Sequence, residues 1–255
     1  MKATQINRVH NILRNVVSLN ASEVVRLAHP GNESSPILVS TLNLQHLRHC
    51  ADSEDFYRIY KSSRIIVSDG MPIVWLSRLL LGRKISRLTG VEICALLLSQ
   101  DSPVLVLGSN VETLAAACKA VQSKRNIPIY DDYFNPANEA GYLEIAKARL
   151  KKLAPSYVIL ALGSPKQELL FRDLVASGLE SNITFFGLGG SLDILSGQKS
   201  RAPRLLQKTG FEWIWRLGQS PKYLFWRYLS DGRFLMKLLF SRVRMGRSDN
   251  VKDHP

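Results

Sequence analysis

Asp69 follows the apolar run Ile65-Ile66-Val67 and precedes Gly70-Met71-Pro72, so it places a carboxylate where a buried strand ends and a helix begins. Two roles fit that position: capping the helix by accepting backbone N–H bonds, or serving as a general base at the mouth of a sheet. Thr41 and Asn43 follow another apolar run and stand beside Asp69 if the two strands pair. Arg87, Thr89 and Gly90 form a further polar turn ahead of a helical stretch. Gly163-Ser-Pro-Lys-Gln-Glu168 follows a strongly apolar run and opens a helix. Local helix chemistry accounts for Ser164 as N-cap, Pro165 at the first helical position and Gln167 completing a capping box. It does not account for Lys166. A cation beside the positive end of a helix dipole is unfavourable unless an anion sits there too, so the segment from Gly163 to Glu168 reads as an anion site suited to a diphosphate. Phe186-Gly-Leu-Gly-Gly-Ser-Leu-Asp193 adds Gly187, Gly189 and Gly190, where backbone can approach a ligand closely, and the carboxylate of Asp193. Gly108-Ser-Asn110 is a similar turn after an earlier strand.

Several patterns are absent. Neither glycine turn has GxGxxG spacing and no GxxxxGK[ST] occurs, which sets aside P-loop nucleotide hydrolysis and weakens a nicotinamide-dependent oxidoreductase. There is no DxD pair and no GxSxG elbow. His10, His29, His46, His49 and His254 make no ligand constellation, and His46 with His49, at i and i+3, reads as a solvated helix face. No metal and no cofactor are expected.

The elements that must position these residues follow from the apolar pattern. Runs at 36–40, 64–68, 104–107, 127–130, 157–162 and 183–186 are rich in Val, Ile and Leu without polar alternation, as in strands of a parallel sheet covered on both faces. Between them lie helical stretches, one marked by Val111, Leu114, Ala115, Cys118 and Val121. The expected fold is α/β: a Rossmann-like parallel-sheet lobe (100–195), a smaller α/β N-terminal lobe (1–99) and a helical C-terminal appendage (196–255). In such sheets ligands bind beyond the carboxyl ends of the strands, which is where the polar turns above fall.

The net charge of +13 points to an anionic partner. Between residues 199 and 247, twelve Lys/Arg face only Glu212 and Asp231, and Trp213, Trp215 and Trp226 lie in the same stretch. Cys50, Cys94 and Cys118 are widely spaced and read as reduced, buried thiols. No run approaches the roughly 20 apolar residues of a spanning helix, and the first residues carry no signal-like apolar core. A protein in the cytoplasm, or lying on a membrane without crossing it, is expected.

Thr41-Leu-Asn43, Asp69-Gly-Met-Pro-Ile-Val-Trp75, Leu81-Gly82, Arg87-Leu-Thr-Gly90, Gly163-Ser-Pro-Lys-Gln-Glu168, Gly187-Leu-Gly-Gly190 with Asp193, Gly197, Arg201-Ala-Pro203 and Glu212-Trp213-Ile-Trp-Arg216, in this order, resemble the WecG/TagA/CpsF family of bacterial glycosyltransferases over roughly residues 16–228. The resemblance implies inverting, metal-independent transfer from a UDP-sugar, of the N-acetylmannosamine or glucose type, to an undecaprenyl-diphosphate-linked acceptor in cell-surface polysaccharide synthesis. It implies work at the inner face of the cell membrane, with the appendage touching an anionic membrane surface. By position it makes Asp69 the base, Thr41 its pocket neighbour and the two glycine turns the UDP-binding side. Where the family commonly carries arginines this chain has Tyr223 and Trp226, so Arg216 and Arg227, with Arg201 third, are the tail cations expected at the phosphates. The rival from another class is a nucleic-acid-binding protein using the basic, aromatic tail. It leaves unexplained why Asp69 and the glycine turns all follow strands, and nucleic acid is not expected as a partner.

Overall fold

The computed structural model describes residues 1–31, 35–100, 102–122, 129–130, 139–179 and 182–250; the side chains of 129, 130, 139, 140, 208, 223 and 242–250 lie outside that description. Among the described residues seven strands form one parallel sheet: β1 (Val16–Val17), β2 (Ile37–Leu42), β3 (Ile65–Ser68), β4 (Val104–Leu107), β5 (Ile129–Tyr130), β6 (Tyr157–Leu160) and β7 (Thr184–Gly187), in the order β1-β3-β2-β7-β6-β4-β5. The apolar runs of the sequence supply six of them, with residues 127 and 128 of the fourth run outside the described residues. β1 went unforeseen because two residues carry no periodicity; it extends the sheet beside β3.

The segments 1–99 and 100–195 share this sheet. β2 pairs with β7 from Ile37↔Thr184 to Ser40↔Gly187, and with β3 from Val39↔Ile65 to Leu42↔Ser68. The reason is hydrogen bonding: a strand buried on both faces leaves costly orphan N–H and C=O groups unless both its edges are paired.

Each face is covered by helices. On one lie α1 (Ala3–Asn15), α3 (Leu44–Asp52), α4 (Glu54–Ser62) and α5 (Met71–Leu81), with α8 (Glu139–Leu153) and α9 (Lys166–Ala176) further along. On the other lie α2 (Ala21–Leu27), α6 (Gly90–Ser99), α7 (Val111–Ala120) and the short α10 (Ser191–Leu195). Alternate residues of β2 show the division, Val39 packing with the second set and Leu38 and Leu42 with the first.

The last segment is helical, as its composition predicts: α11 (Arg204–Thr209), α12 (Glu212–Gln219) and α13 (Pro221–Asn250). Gly210 ends α11 at φ 79°, and a Cβ there would meet the Trp75 ring at 2.4 Å, so the turn into α12 needs glycine on both counts. α13 packs against the first face: Phe234 and Leu238 are buried in the cluster of Leu13, Leu47 and Ile73, and buried Asp231 accepts from Arg48 Nε at 2.9 Å. Among the described residues no helix is long and apolar enough to cross a membrane.

Candidate active site

All strands point the same way, so the ends of β2, β3, β6 and β7 gather at one edge in mid-sheet, where a polar cleft of about 550 Å³ opens. Thr41, Asn43 and Asp69 line one wall, and Gly163, Pro165, Lys166 and Gln167 another. Gly189, Gly190 and Asp193 close a third, and Arg201, Arg216 and Arg227 reach in from the C-terminal segment. Beside it lies an apolar groove of about 500 Å³ between α5 and α13, and the two cavities share Asn43, Gln45, Asp69, Glu212, Arg216 and Arg227. Asp69 therefore sits where they meet.

Asp69 does not cap a helix. Its backbone N–H donates to Leu42 O at 2.8 Å, and the N-cap of α5 is the next residue, Gly70, at φ 121° and with no side-chain cap bond. Burial pushes its carboxyl above the usual carboxylate range; Arg216 and Arg87 pull it back and Glu212 pushes it further up. These charges form a chain across the junction. Arg87 forms a backbone bridge with Ser68, donates Nη1 to Gln207 O at 2.8 Å and pairs Nη2 with Glu212 Oε2 at 3.3 Å. Glu212 Oε1 accepts from Arg216 Nε at 3.1 Å and Nη2 at 2.6 Å. Arg87 faces the apolar groove rather than the polar cleft. Arg227 lines both cavities, lies 4.8 Å from the Tyr228 ring centroid and has a buried Nε with no hydrogen-bond partner.

Thr41 and Asn43 brace the site as well as facing it. Thr41 Oγ1 donates to Gly187 O at 3.0 Å, tying the end of β2 to that of β7, while Asn43 caps α3 by accepting from His46 N at 3.1 Å. His46 corrects the expectation of a solvated face: it is 5% exposed and its Nδ1 lies 2.7 Å from Thr41 O. A carbonyl can only accept, so Nδ1 carries the proton; burial lowers the ring pKa to about 4, leaving it neutral at pH 7. The spacing did hold the signal, because His46 shares a helical stripe with buried Leu47, Cys50 and Ala51.

The Gly163–Glu168 turn differs from the local chemistry expected of it. The Ser164–Pro165 bond is cis, and α9 starts at Lys166 without a side-chain cap, so Ser164 is not its N-cap. Gln167 closes no capping box. Its Nε2 donates to Glu168 Oε1 at 2.9 Å and its Oε1 accepts from Gly189 N at 3.0 Å, so it straps the two glycine turns together. Glu168 lies behind the cleft wall, 3% exposed, with Oε1 3.9 Å from His46 Nε2; burial raises its pKa against hydrogen bonds from Gln167 and Ser164. Gly108 and Gly187 line neither cavity. A Cβ on Gly108 would strike Leu162 at 2.5 Å, and one on Gly187 would reach Gln167 Nε2 at 3.1 Å, so both glycines make room for the walls. Asp193 lines the cleft with its carboxylate held by Lys199 Nζ at 2.5 Å.

Sequence reasoning gave no role to Glu212 or Lys199. Glu212 was legible as the i, i+4 partner of Arg216 on one helix; Lys199 had no such signal. Among the described residues no group of three or more His, Cys, Asp or Glu side chains is placed to hold a metal ion. With a buried carboxylate at the junction and cations and helix N-termini around it, the arrangement has the groups needed to deprotonate a nucleophile and stabilise an anionic leaving group. Over residues 10–248 the sequence matches the Glycosyl transferase WecG/TagA/CpsF family.

Proposed function

The chain belongs to the WecG/TagA/CpsF family, glycosyltransferases of cell-surface polysaccharide synthesis that join a sugar donor to an acceptor, and from that premise we propose a UDP-sugar as donor, a polyprenyl-diphosphate-linked sugar as acceptor, and inversion by direct displacement. Asp69 takes the proton of the acceptor hydroxyl. The freed oxygen attacks the anomeric carbon, the bond from that carbon to the β-phosphate oxygen breaks, and UDP leaves with the electron pair. The charge developing on the diphosphate is met by Lys166 and the start of α9, and by Arg216 and Arg227 from the appendage, in place of a metal. The observation that carries this reading is the place of Asp69, at the meeting of a polar cleft and an apolar groove, with arginines on both sides. In this division residues 1–99 supply the base, 100–195 most of the donor turns, and 196–255 the cations that complete the site.

The appendage also suits a membrane surface. Phe225, Trp226 and Phe240 are more than half exposed, and the surrounding stretch is basic. Aromatic side chains favour the interface, and each basic residue near anionic lipid adds about 1 kcal/mol. We place the protein on the inner face of the cell membrane. Salt-resistant retention on anionic liposomes supports this, whereas binding that vanishes at high salt fits the phosphate-driven attraction of a nucleic-acid binder.

The deciding experiment is a panel of UDP-sugars with a short-chain polyprenyl-diphosphate-linked sugar, UDP release being measured. Turnover is expected with at least one donor and persists in EDTA; activity lost to chelator and restored by Mg²⁺ or Mn²⁺ removes the metal-free account. Asp69→Asn should retain donor binding and lose at least ~100-fold in turnover. Near-normal turnover in that variant takes Asp69 out of the mechanism.

A further inference from the structure

The groove between α5 and α13 is a cavity of a different kind from the polar cleft it joins. Its walls are Met71, Trp75, Leu76 and Leu79 on α5 and Leu235 and Leu239 on α13. Trp75 and Leu79 are each 48% exposed, an apolar wall left open to water. Charge is confined to the inner end, where Arg87, Arg216 and Arg227 meet Asp69, Glu212 and Asp231; Glu212 pairs with Arg87 and Arg216, and Asp231 with Arg48. Both helices leave that end together. Leu79 lies ten residues beyond Asp69, and Leu239 twelve beyond Arg227, so at a rise of ~1.5 Å per residue the walls run out for on the order of 12–18 Å.

We propose that this groove holds the first isoprene units of the acceptor lipid, with its diphosphate at the inner end, where Arg227, lining both cavities, stands between it and the donor's diphosphate in the cleft, and with the rest of the chain leaving past Leu79 and Leu239. The inference rests on the polyprenyl-diphosphate acceptor proposed above and adds where, and how much of, the lipid the protein itself grips. Three features choose this occupant. At the inner end the carboxylates of Glu212 and Asp231 are taken up by ion pairs, while Arg227 keeps a buried Nε with no hydrogen-bond partner, which fits an apolar chain carrying an anionic head. The cavity is concave and narrow, so the flat face of a bilayer cannot enter it. Its volume suits a ligand of drug size, a few isoprene units rather than a full-length polyprenyl chain. α13 forms one whole wall, so the lipid site exists only when the appendage is docked. The polar cleft, continuous with the groove at Asp69, then receives the donor from the opposite side, which sets acceptor hydroxyl and anomeric carbon on either side of the base.

The test uses the full chain in solution without detergent or membrane, so that partitioning into a bilayer plays no part. Calorimetric titrations with isoprenyl diphosphates of one and of three units, and with inorganic diphosphate, read the groove directly. Affinity should rise at least ~10-fold from one unit to three, with a negative heat-capacity change. Leu79→Asn should cut that gain to less than about 3-fold, and the milder Leu79→Ala should fall between. Equal affinity for all three probes, or the full gain retained in both variants, overturns the groove. Turnover separates the two layers of the proposal. If lipid-linked sugars are glycosylated with an acceptor KM indifferent to the first three isoprene units, the groove is wrong and the acceptor stands. If three-unit diphosphate binds with the expected gain but no lipid-linked sugar accepts the donor's sugar, the groove stands and the acceptor is wrong.

Discussion

Asp69 is surrounded by charges whose effects on it oppose one another, and that makes its ionisation testable one neighbour at a time. A base works only when deprotonated, so activity falls as pH drops through its pKa, and burial places that limb above the ordinary carboxylate range. Arg216 lowers the pKa and Glu212 raises it. Arg216→Gln is therefore expected to move the acid limb of kcat/KM to higher pH, and Glu212→Gln to lower pH. Both variants disturb the same ion pair, so a merely structural role for it predicts shifts of one sign or none. Glu212→Gln should also raise KM, because Arg216 and Arg87 lose the carboxylate that orients them toward the junction. Asp69, Thr41, Asn43 and the two glycine turns were legible in the sequence because each follows an apolar run and strand ends converge. The Glu212 bridge to Arg87 was not, since 125 positions separate the partners and only the docking of α12 brings them together.

At the scale of elements, sequence pattern located strands and most helices but misjudged which side chains of the polar turns face inward. α3 and α9 illustrate the cause: His46 and Glu168 look like surface residues by type, yet His46 is buried in the cleft wall and Glu168 behind it, braced through Thr41 and Gln167. Their burial has a pH signature. The folded-state pKa of His46 lies near 4, below its unfolded value of 6.5. The stability it contributes is therefore intact above pH 6.5 and is lost as pH falls toward 4, at up to about 1.4 kcal/mol per pH unit. Glu168, whose pKa is raised, acts in the opposite sense. The informative quantity is the difference between the parent and His46→Gln in urea titrations from pH 7 to pH 4. The parent should lose more stability than the variant across that window, and parallel curves would show that His46 does not titrate as a buried neutral ring. The turn between α11 and α12 gives a conformational counterpart. Gly210→Ala combines a strained φ of 79° with a 2.4 Å approach to Trp75, so it is expected to displace α12 and cut turnover by shifting Arg216, with a smaller change in Tm.

For the molecule as a whole, the parallel α/β class follows from the order of apolar runs, while the union of both segments in one sheet depends on the long-range β2–β7 pairing that no local pattern encodes. The same holds for the appendage. Its helicity and charge are visible in sequence, and because every strand among the described residues precedes residue 196 the core is expected to fold without it. Its docking is not visible: Phe234 and Leu238 complete a core cluster, and Asp231 is buried against Arg48. Truncation after residue 196 should leave the sheet folded but uncover that cluster. Losing burial of those two side chains costs about 3–6 kcal/mol by area, an upper estimate because the unfolded chain already hides some apolar surface. A lowered Tm and binding of an apolar dye are expected, together with loss of liposome binding. Two point variants separate support from chemistry. Phe234→Ala should lower stability by about 3–5 kcal/mol with turnover largely kept while the protein stays folded. Arg227→Ala should leave Tm within a degree or two and reduce turnover, because its side chain lines both cavities at their junction, where losing one donor to a developing anion costs about 3–4 kcal/mol. A water-soluble acceptor removes the need for a membrane, so the truncated protein should still be poorly active on it. Full activity there, with an unchanged Tm, would establish that α13 neither completes the active site nor supports the fold, and would reduce the appendage to an anchor.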